Sequence, residues 1–177
     1  MARKVMAALA LTAALGMGAA SAQNLIWQTK ELGLSGLVDP DTADGTRVEL
    51  DLRWGYFIYD GVVIGATASF ADSDSLSSAG GGVYTEFNFE TGGPAMPFVG
   101  LGLGVNYTKF DIPGLRGNRT VGVATPEAGV KVFLNENAAV SLSVLTQFAT
   151  GEIYLRDNAK TSQFDWSIRL GLRFFYF

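Results

Sequence analysis

The stretch RVELDLRWGYFIYDGVVIGATASF, Arg47 to Phe70, changes character at almost every residue. Val48, Leu50, Leu52, Trp54, Tyr56 and Ile58 form one set, and Arg47, Glu49, Asp51 and Arg53 form the other. After Asp60-Gly61 the alternation resumes with Val62, Ile64, Ala66, Ala68 and Phe70. A period of two places successive side chains on opposite faces of an extended strand. The chain therefore builds sheet with one apolar and one charged face. Whether the apolar face meets a protein interior or lipid decides what kind of molecule it is.

The same alternation marks eight strands, at 25–35, 47–58, 62–70, 83–89, 98–108, 121–134, 138–150 and 164–177. Most approach the roughly 9–11 residues a tilted strand needs to cross a bilayer. Pro126 falls inside the sixth and removes a ladder donor, which predicts a bulge or a local gap. The connections alternate too. GLVDPDTADGT, ADSDSLSSAGG, KFDIPGLRGNR and GEIYLRDNAKTSQ are long and polar, whereas Tyr59-Asp60-Gly61, TGGPAM and NENA are short. A membrane barrel segregates short turns to one side and long loops to the other.

The first residues stand apart. Arg3 and Lys4 precede an apolar run from Val5 to Ala14 and beyond, closed by Ala20-Ser21-Ala22 before Gln23. This is the order of a secretory signal peptide, so residues 1–22 are expected to be removed and 23–177 to form one barrel domain. Two of the 13 basic residues leave with it, so 11 remain against 17 acidic ones, a net charge of −6. That balance argues against nucleic acid as a partner. Cys and His are both absent, which removes disulfides, thiolate chemistry and imidazole bases or metal ligands. No later segment has the apolar length of a transmembrane helix, so a membrane form must be a closed barrel.

The residues opposite the apolar set decide between the two media. They include the cations Arg47, Arg53, Lys131, Arg169 and Arg173 and the carboxylates Glu49, Asp51, Glu86, Glu90 and Glu127, one for one. Gly, Ser, Thr, Asn and Gln fill much of the rest. Gly100, Gly102 and Gly104 share this face. On an outer surface they only weaken a strand, but inside a narrow barrel they leave room for long side chains from the facing wall. The apolar face carries Tyr56, Phe70, Phe89, Tyr107, Phe148, Trp166, Phe174 and Tyr176 mostly toward strand ends, the pattern of interfacial girdles. The expected fold is an all-β, eight-stranded, antiparallel up-and-down transmembrane β-barrel with a charged bore.

Leader, eight strands, long-short connections and the ending SIRLGLRFFYF together resemble the small outer-membrane β-barrel proteins of the OmpA-barrel, OmpX and opacity-protein kind, a porin-like group. The resemblance covers the whole mature chain and is architectural. It implies an outer-membrane location, contact with outer-membrane lipid and lipopolysaccharide, a monomer, and recognition of the last strand by the barrel-assembly machinery through Phe174, Tyr176 and Phe177. Phe177 is out of phase with the outward aromatics, so either a bulge lies within 174–177 or the signal is read one residue early. No peptidoglycan-tethering domain is expected after the barrel.

Enzymes that resemble this architecture rely on histidine, and this chain has none, so no catalysis is expected. The matched charges point to a structural ion network. VGLGLGV at 99–105 lacks the following helix of a phosphate loop. Asn118-Arg119-Thr120 fits a glycosylation sequon by chance. No cofactor is expected. The acidic loop residues Asp39, Asp41, Asp44, Asp72, Asp74, Asp111, Glu152 and Asp157 are ordinarily just solvated. DPDTADG lacks the full spacing of a calcium-binding EF-hand loop, though such loops could hold divalent cations that bridge lipopolysaccharide. Three functions stay open: a structural or surface-interaction protein of the cell envelope, a narrow channel for ions or small solutes, and a soluble lipocalin-like carrier. No surface ligand can be named from these residues.

Overall fold

The computed structural model describes residues 25–42, 45–73, 76–112, 115–156 and 160–177. The expected leader lies outside them. The strands are β1 (Lys30–Thr42), β2 (Gly45–Tyr59), β3 (Val62–Ser73), β4 (Leu76–Asn88), β5 (Ala95–Ile112), β6 (Leu115–Asn135), β7 (Ala138–Ala149), β8 (Tyr154–Arg156), β9 (Lys160–Ser162) and β10 (Phe164–Tyr176). Eight of them close an all-antiparallel barrel in the order β1-β10-β7-β6-β5-β4-β3-β2, and β8 and β9 form a separate small hairpin. Closure runs through β1, where Lys30 pairs with Tyr56 on one side and Tyr176 on the other. The closing seam pairs Lys30–Ser35 with Gly171–Tyr176, where an open sheet would leave two exposed edges.

The apolar set faces outward. Leu50, Leu52, Trp54, Leu101, Leu103, Ile168, Leu170 and Leu172 are all exposed. On β10 the outward row runs from Phe164 to Tyr176. At about 3.3 Å per residue and a tilt near 40°, that row is roughly 30 Å tall. A soluble carrier with its apolar face inside is thereby excluded as a description of this barrel.

At the hairpin end the strands run further than the sequence expectation. β4 begins at Leu76, and β5 and β6 pair as far as Ile112↔Leu115. Much of each long polar connection is therefore strand. Apolar alternation detects only the part of a strand with a dry outer face, whereas ladder hydrogen bonds continue into hairpins that water surrounds. The asymmetry between the barrel's ends survives as overhanging hairpins at one end and short connections (60–61, 89–94 and 136–137) at the other. The first strand starts later than expected, because residues 25–29 turn across the short-connection end. At Pro126 the β6–β7 ladder skips Thr125 and Pro126 and resumes in the same register at Glu127↔Leu145. That is a gap without a bulge. The β1–β10 register is also unbroken up to Lys30↔Tyr176. Tyr176 points outward in phase with Phe174, and Phe177 follows the strand.

Candidate functional site: a charged bore between two apolar closures

The inward face is layered along the bore. At the short-connection end Phe57, Val63, Met96, Phe133, Ala139 and Phe175 pack with Leu25 and Tyr84. The Phe133 and Phe175 ring centroids are 5.2 Å apart, and those of Phe57 and Phe175 6.5 Å. Leu25 is held there by backbone bonds: Gly61 N–H donates to the Leu25 carbonyl at 3.0 Å, and Phe57 N–H to Thr29 at 2.8 Å. Each large apolar side chain buried here contributes roughly 1.5–3 kcal/mol.

Above this plug lies the ion network. Lys131 on β6 is fully buried and donates to Glu31 at 2.9 Å and to Glu86. Arg173 reaches the other oxygen of Glu31 at 2.6 Å and donates to Ser141 Oγ at 3.3 Å. Arg53 pairs with Glu127 and lies over the Tyr84 ring. Asp51 and Arg169 pair at 2.9 Å one step further up. Four carboxylates thus meet four cations. The layer buries no net charge, which is what keeps its desolvation tolerable.

Glycines make this crowding possible at particular places. A Cβ on Gly33 would press on Arg173 Nη1 at 3.0 Å and on Arg53 Cβ at 3.3 Å. One on Gly55 or Gly65 would collide with the Tyr84 ring or hydroxyl.

Above the ions the bore opens into two adjoining cavities of about 100 and 180 Å³. Gly100, Gly102 and Gly104 line the first. A second apolar cluster closes the loop end: Phe110, Val121, Ala149 and Ile153, with Leu76, Val123 and Tyr154 against them. Ile153 and Tyr154 belong to the connection after β7. It is fastened down by Thr150 N–H on the Gly122 carbonyl at 2.9 Å and Ile153 N–H on Ser162 at 3.1 Å.

The sequence-derived charges divide as follows. Asp51, Arg53, Glu86, Glu127, Lys131, Arg169 and Arg173 point into the bore and are paired there. Glu49 lines the upper cavity. The Arg47 side chain lies outside the described residues. Glu90 is a correction: it is exposed in the β4–β5 connection and takes no part in the bore. β4 ends at Asn88, whose amide is bound to the Gly61 carbonyl at 3.1 Å, so the alternation was carried two residues past the strand.

Glu31 was absent from the sequence-derived set, although its place opposite Leu32 and Leu34 carried the signal. The inward aromatics Phe57, Phe133 and Phe175 were missed as well. Their signal was a position out of phase with the outer row, all at one end.

The outward aromatics fall at two levels. Tyr56, Phe89, Phe174 and Tyr176 lie toward the short connections, and Phe70, Tyr107, Phe148 and Trp166 toward the hairpins. Trp54 Nε1 donates to Tyr176 at 3.3 Å, and the Lys30 ammonium lies 5.8 Å from the Tyr176 ring. Of the acidic loop residues, Asp72 accepts from Ser77 Oγ at 2.5 Å and Glu152 is exposed. Asp44, Asp74 and Asp157 lie outside the described residues, as do the side chains of Asp39, Asp41 and Asp111.

No family model and no curated protein matches the chain. Solved structures do. The chain is similar to the N-terminal β-barrel domain of Pseudomonas aeruginosa OprF, with a TM-score of 0.60 and 19% identity over 85% of this chain and 98% of that one. Neisserial surface protein A follows with a TM-score of 0.59 and 14% identity over 82% and 94%. The outer membrane protein OprG of Pseudomonas aeruginosa gives 0.53 and 14% over 87% and 98%. At these identities the likeness is one of fold: the chain has the barrel of small outer-membrane proteins.

Proposed function

We propose that the chain is an integral outer-membrane protein whose bore does not conduct and whose role is structural or adhesive, exercised through the hairpins above the apolar band. The observation that carries this reading is the filling of the bore. A continuous apolar belt faces out, while an aromatic plug and a charge-matched ion layer occupy the inside. A belt of that height calls for hydrocarbon, and a bore so filled leaves the outside surfaces as the working ones. The similar structures support the location, since one is an outer membrane protein and another a surface protein.

Outer-membrane lipid and lipopolysaccharide would contact the two aromatic levels. The barrel-assembly machinery would read the last strand, whose final outward residue is Tyr176. The mature chain would act as a monomer without cofactor or catalysis.

The glycine-lined cavities favour a second reading, a narrow channel for ions or small solutes. Flux through the purified, refolded barrel in liposomes separates the two. No flux from a barrel that still shows a heat-sensitive gel shift is the expected result. Flux that falls when Gly102 is made bulky would replace the surface role with a pore. Extraction of the protein from membranes by salt or alkali would overturn both.

A further inference from the structure

The outer wall carries one charge that the apolar belt does not explain. Lys30 is half-buried and faces outward in phase with Leu32 and Leu34. Among the described residues it is the one charged side chain on an outward strand position of the short-connection end. The register sets it between two tyrosines, opposite Tyr56 on β2 and Tyr176 on β10. Its ammonium stands 5.8 Å from the Tyr176 ring centroid, and it makes no ion pair with a described carboxylate. Trp54 Nε1 donates to Tyr176 Oη at 3.3 Å, so the phenol keeps its own O–H to donate. Cation and hydroxyl are thus neighbouring donors at the level of the interfacial rings.

An apolar groove leads away from them along β1. Leu32 lies between Trp54 and Phe174, lower than the rings on either flank, and Leu34 lies between Leu52 and Leu172. The column ends at Gly36, opposite Leu50. Lys30 to Gly36 is about 20 Å of strand, which at a tilt near 40° covers about half of a hydrocarbon core roughly 30 Å thick. A cation at the head of an apolar groove one leaflet deep matches an anionic headgroup above an acyl chain.

We propose that this groove binds one glycerophospholipid, its phosphodiester on the Lys30 ammonium and the Tyr176 hydroxyl and an acyl chain along Leu32 and Leu34. This rests on the outer-membrane reading, in which the short-connection end faces the periplasm and its leaflet is phospholipid. Lys30 comes from the first barrel strand and Tyr176 from the last, so the site exists only once the barrel closes. The β1–β10 ladder is also the shortest in the wall among the described residues, running from Lys30↔Tyr176 to Ser35↔Gly171. A ligand that binds only the closed form stabilises it, so the lipid clasps the seam where it is least paired.

The test is native mass spectrometry of the refolded full barrel, released from a neutral glycoside detergent after titration with phosphatidylglycerol or with diacylglycerol of the same chains. One phosphatidylglycerol per barrel, bound at least tenfold tighter than diacylglycerol, is expected. Lys30→Gln should remove that preference and Lys30→Arg should keep it. Leu34→Trp should weaken binding severalfold by filling the groove while Lys30 stays. The urea midpoint of the parent barrel should rise with added phosphatidylglycerol, and that of Lys30→Gln should not. If Lys30→Gln shows no heat-sensitive gel shift and so fails to fold, Tyr176→Phe takes its place and should weaken binding severalfold.

Equal retention of the two lipids, or a preference that survives Lys30→Gln, overturns the site and leaves a lysine that reaches only water. Displacement of the lipid by sn-glycerol 3-phosphate at equal concentration overturns the lipid as occupant in favour of a free phosphate. Extraction of the protein from membranes by alkali is a separate result: it removes the outer-membrane reading, whereas lipid selection in detergent tests the groove alone.

Discussion

The two halves of the bore share one strand parity and differ in what that parity carries. Toward the short connections the inward positions hold Phe57, Phe133, Phe175, Lys131 and Glu31, all essentially without exposure. The Lys131 ammonium makes two ion pairs and lies 5.3 and 5.6 Å from the Phe98 and Phe175 ring centroids. Toward the hairpins the same parity holds Ser69, Gly102, Gly104, Asn106 and Thr125, and a chamber remains. Both halves are rich in polar groups, so polarity does not distinguish core from cavity. Side-chain volume does. Where long charges and rings meet, the bore becomes a packed interior. Where glycine and serine face one another, it stays open. Stability should therefore reside below, and adaptability above.

Substitutions in the lower half should cost most. Lys131→Ala would remove the cation that Glu31 and Glu86 share, leaving Glu31 on Arg173, and breaking such a site costs about 3–5 kcal/mol. The urea midpoint of the refolded barrel in detergent should fall accordingly. An unchanged midpoint would mean the lower half is as hydrated as the upper, and the comparison would collapse. Phe175→Ala comes next, at about 3–4 kcal/mol, since it opens a void between Phe57 and Phe133. The same midpoint reports it, and flux through liposomes should begin only if the ion layer loosens too. Glu127→Ala lies at the boundary. It strands Arg53 beside Tyr84, but water in the chamber can reach the guanidinium, so about 2 kcal/mol is expected. A cost as large as that of Lys131→Ala would move the boundary upward and enlarge the packed half.

This division explains what was legible in the sequence. Alternation of apolar and polar residues revealed the strand count, the closed antiparallel barrel and the inward parity of Arg53, Glu86, Glu127, Lys131 and Arg173, because period two is a local property of an extended chain. It also revealed that Gly100, Gly102 and Gly104 face inward. It did not reveal that Gly55 and Gly65 accommodate Tyr84, since that depends on which strand lies opposite. The plug was hidden for a related reason. Phe57, Phe133 and Phe175 sit on the face classed as polar, and only barrel closure brings them to one level. Glu90 was misplaced because period two has no signal for where a strand stops. The polar overhangs of β4, β5 and β6 escaped because their outer faces meet water and lack apolar contrast.

The smallest effect should come from the ion pair that borders the chamber. Asp51 and Arg169 are 15–16% exposed and pair at 2.9 Å, whereas the Lys131 pairs below have essentially no exposure. Solvent within the chamber screens the upper pair and can replace either partner. Asp51→Asn should therefore cost less than about 1 kcal/mol in the urea midpoint, as partly solvated pairs do. The measurement that sharpens this is a double-mutant cycle with Arg169→Gln, read beside one pairing Lys131→Met with Glu31→Gln. A small coupling in the first and a coupling several times larger in the second is expected. Equal couplings would show that the ions form one continuous network from floor to chamber. The openness of the upper half would then owe nothing to its weaker pairs and everything to the missing side chains at Gly102 and Gly104.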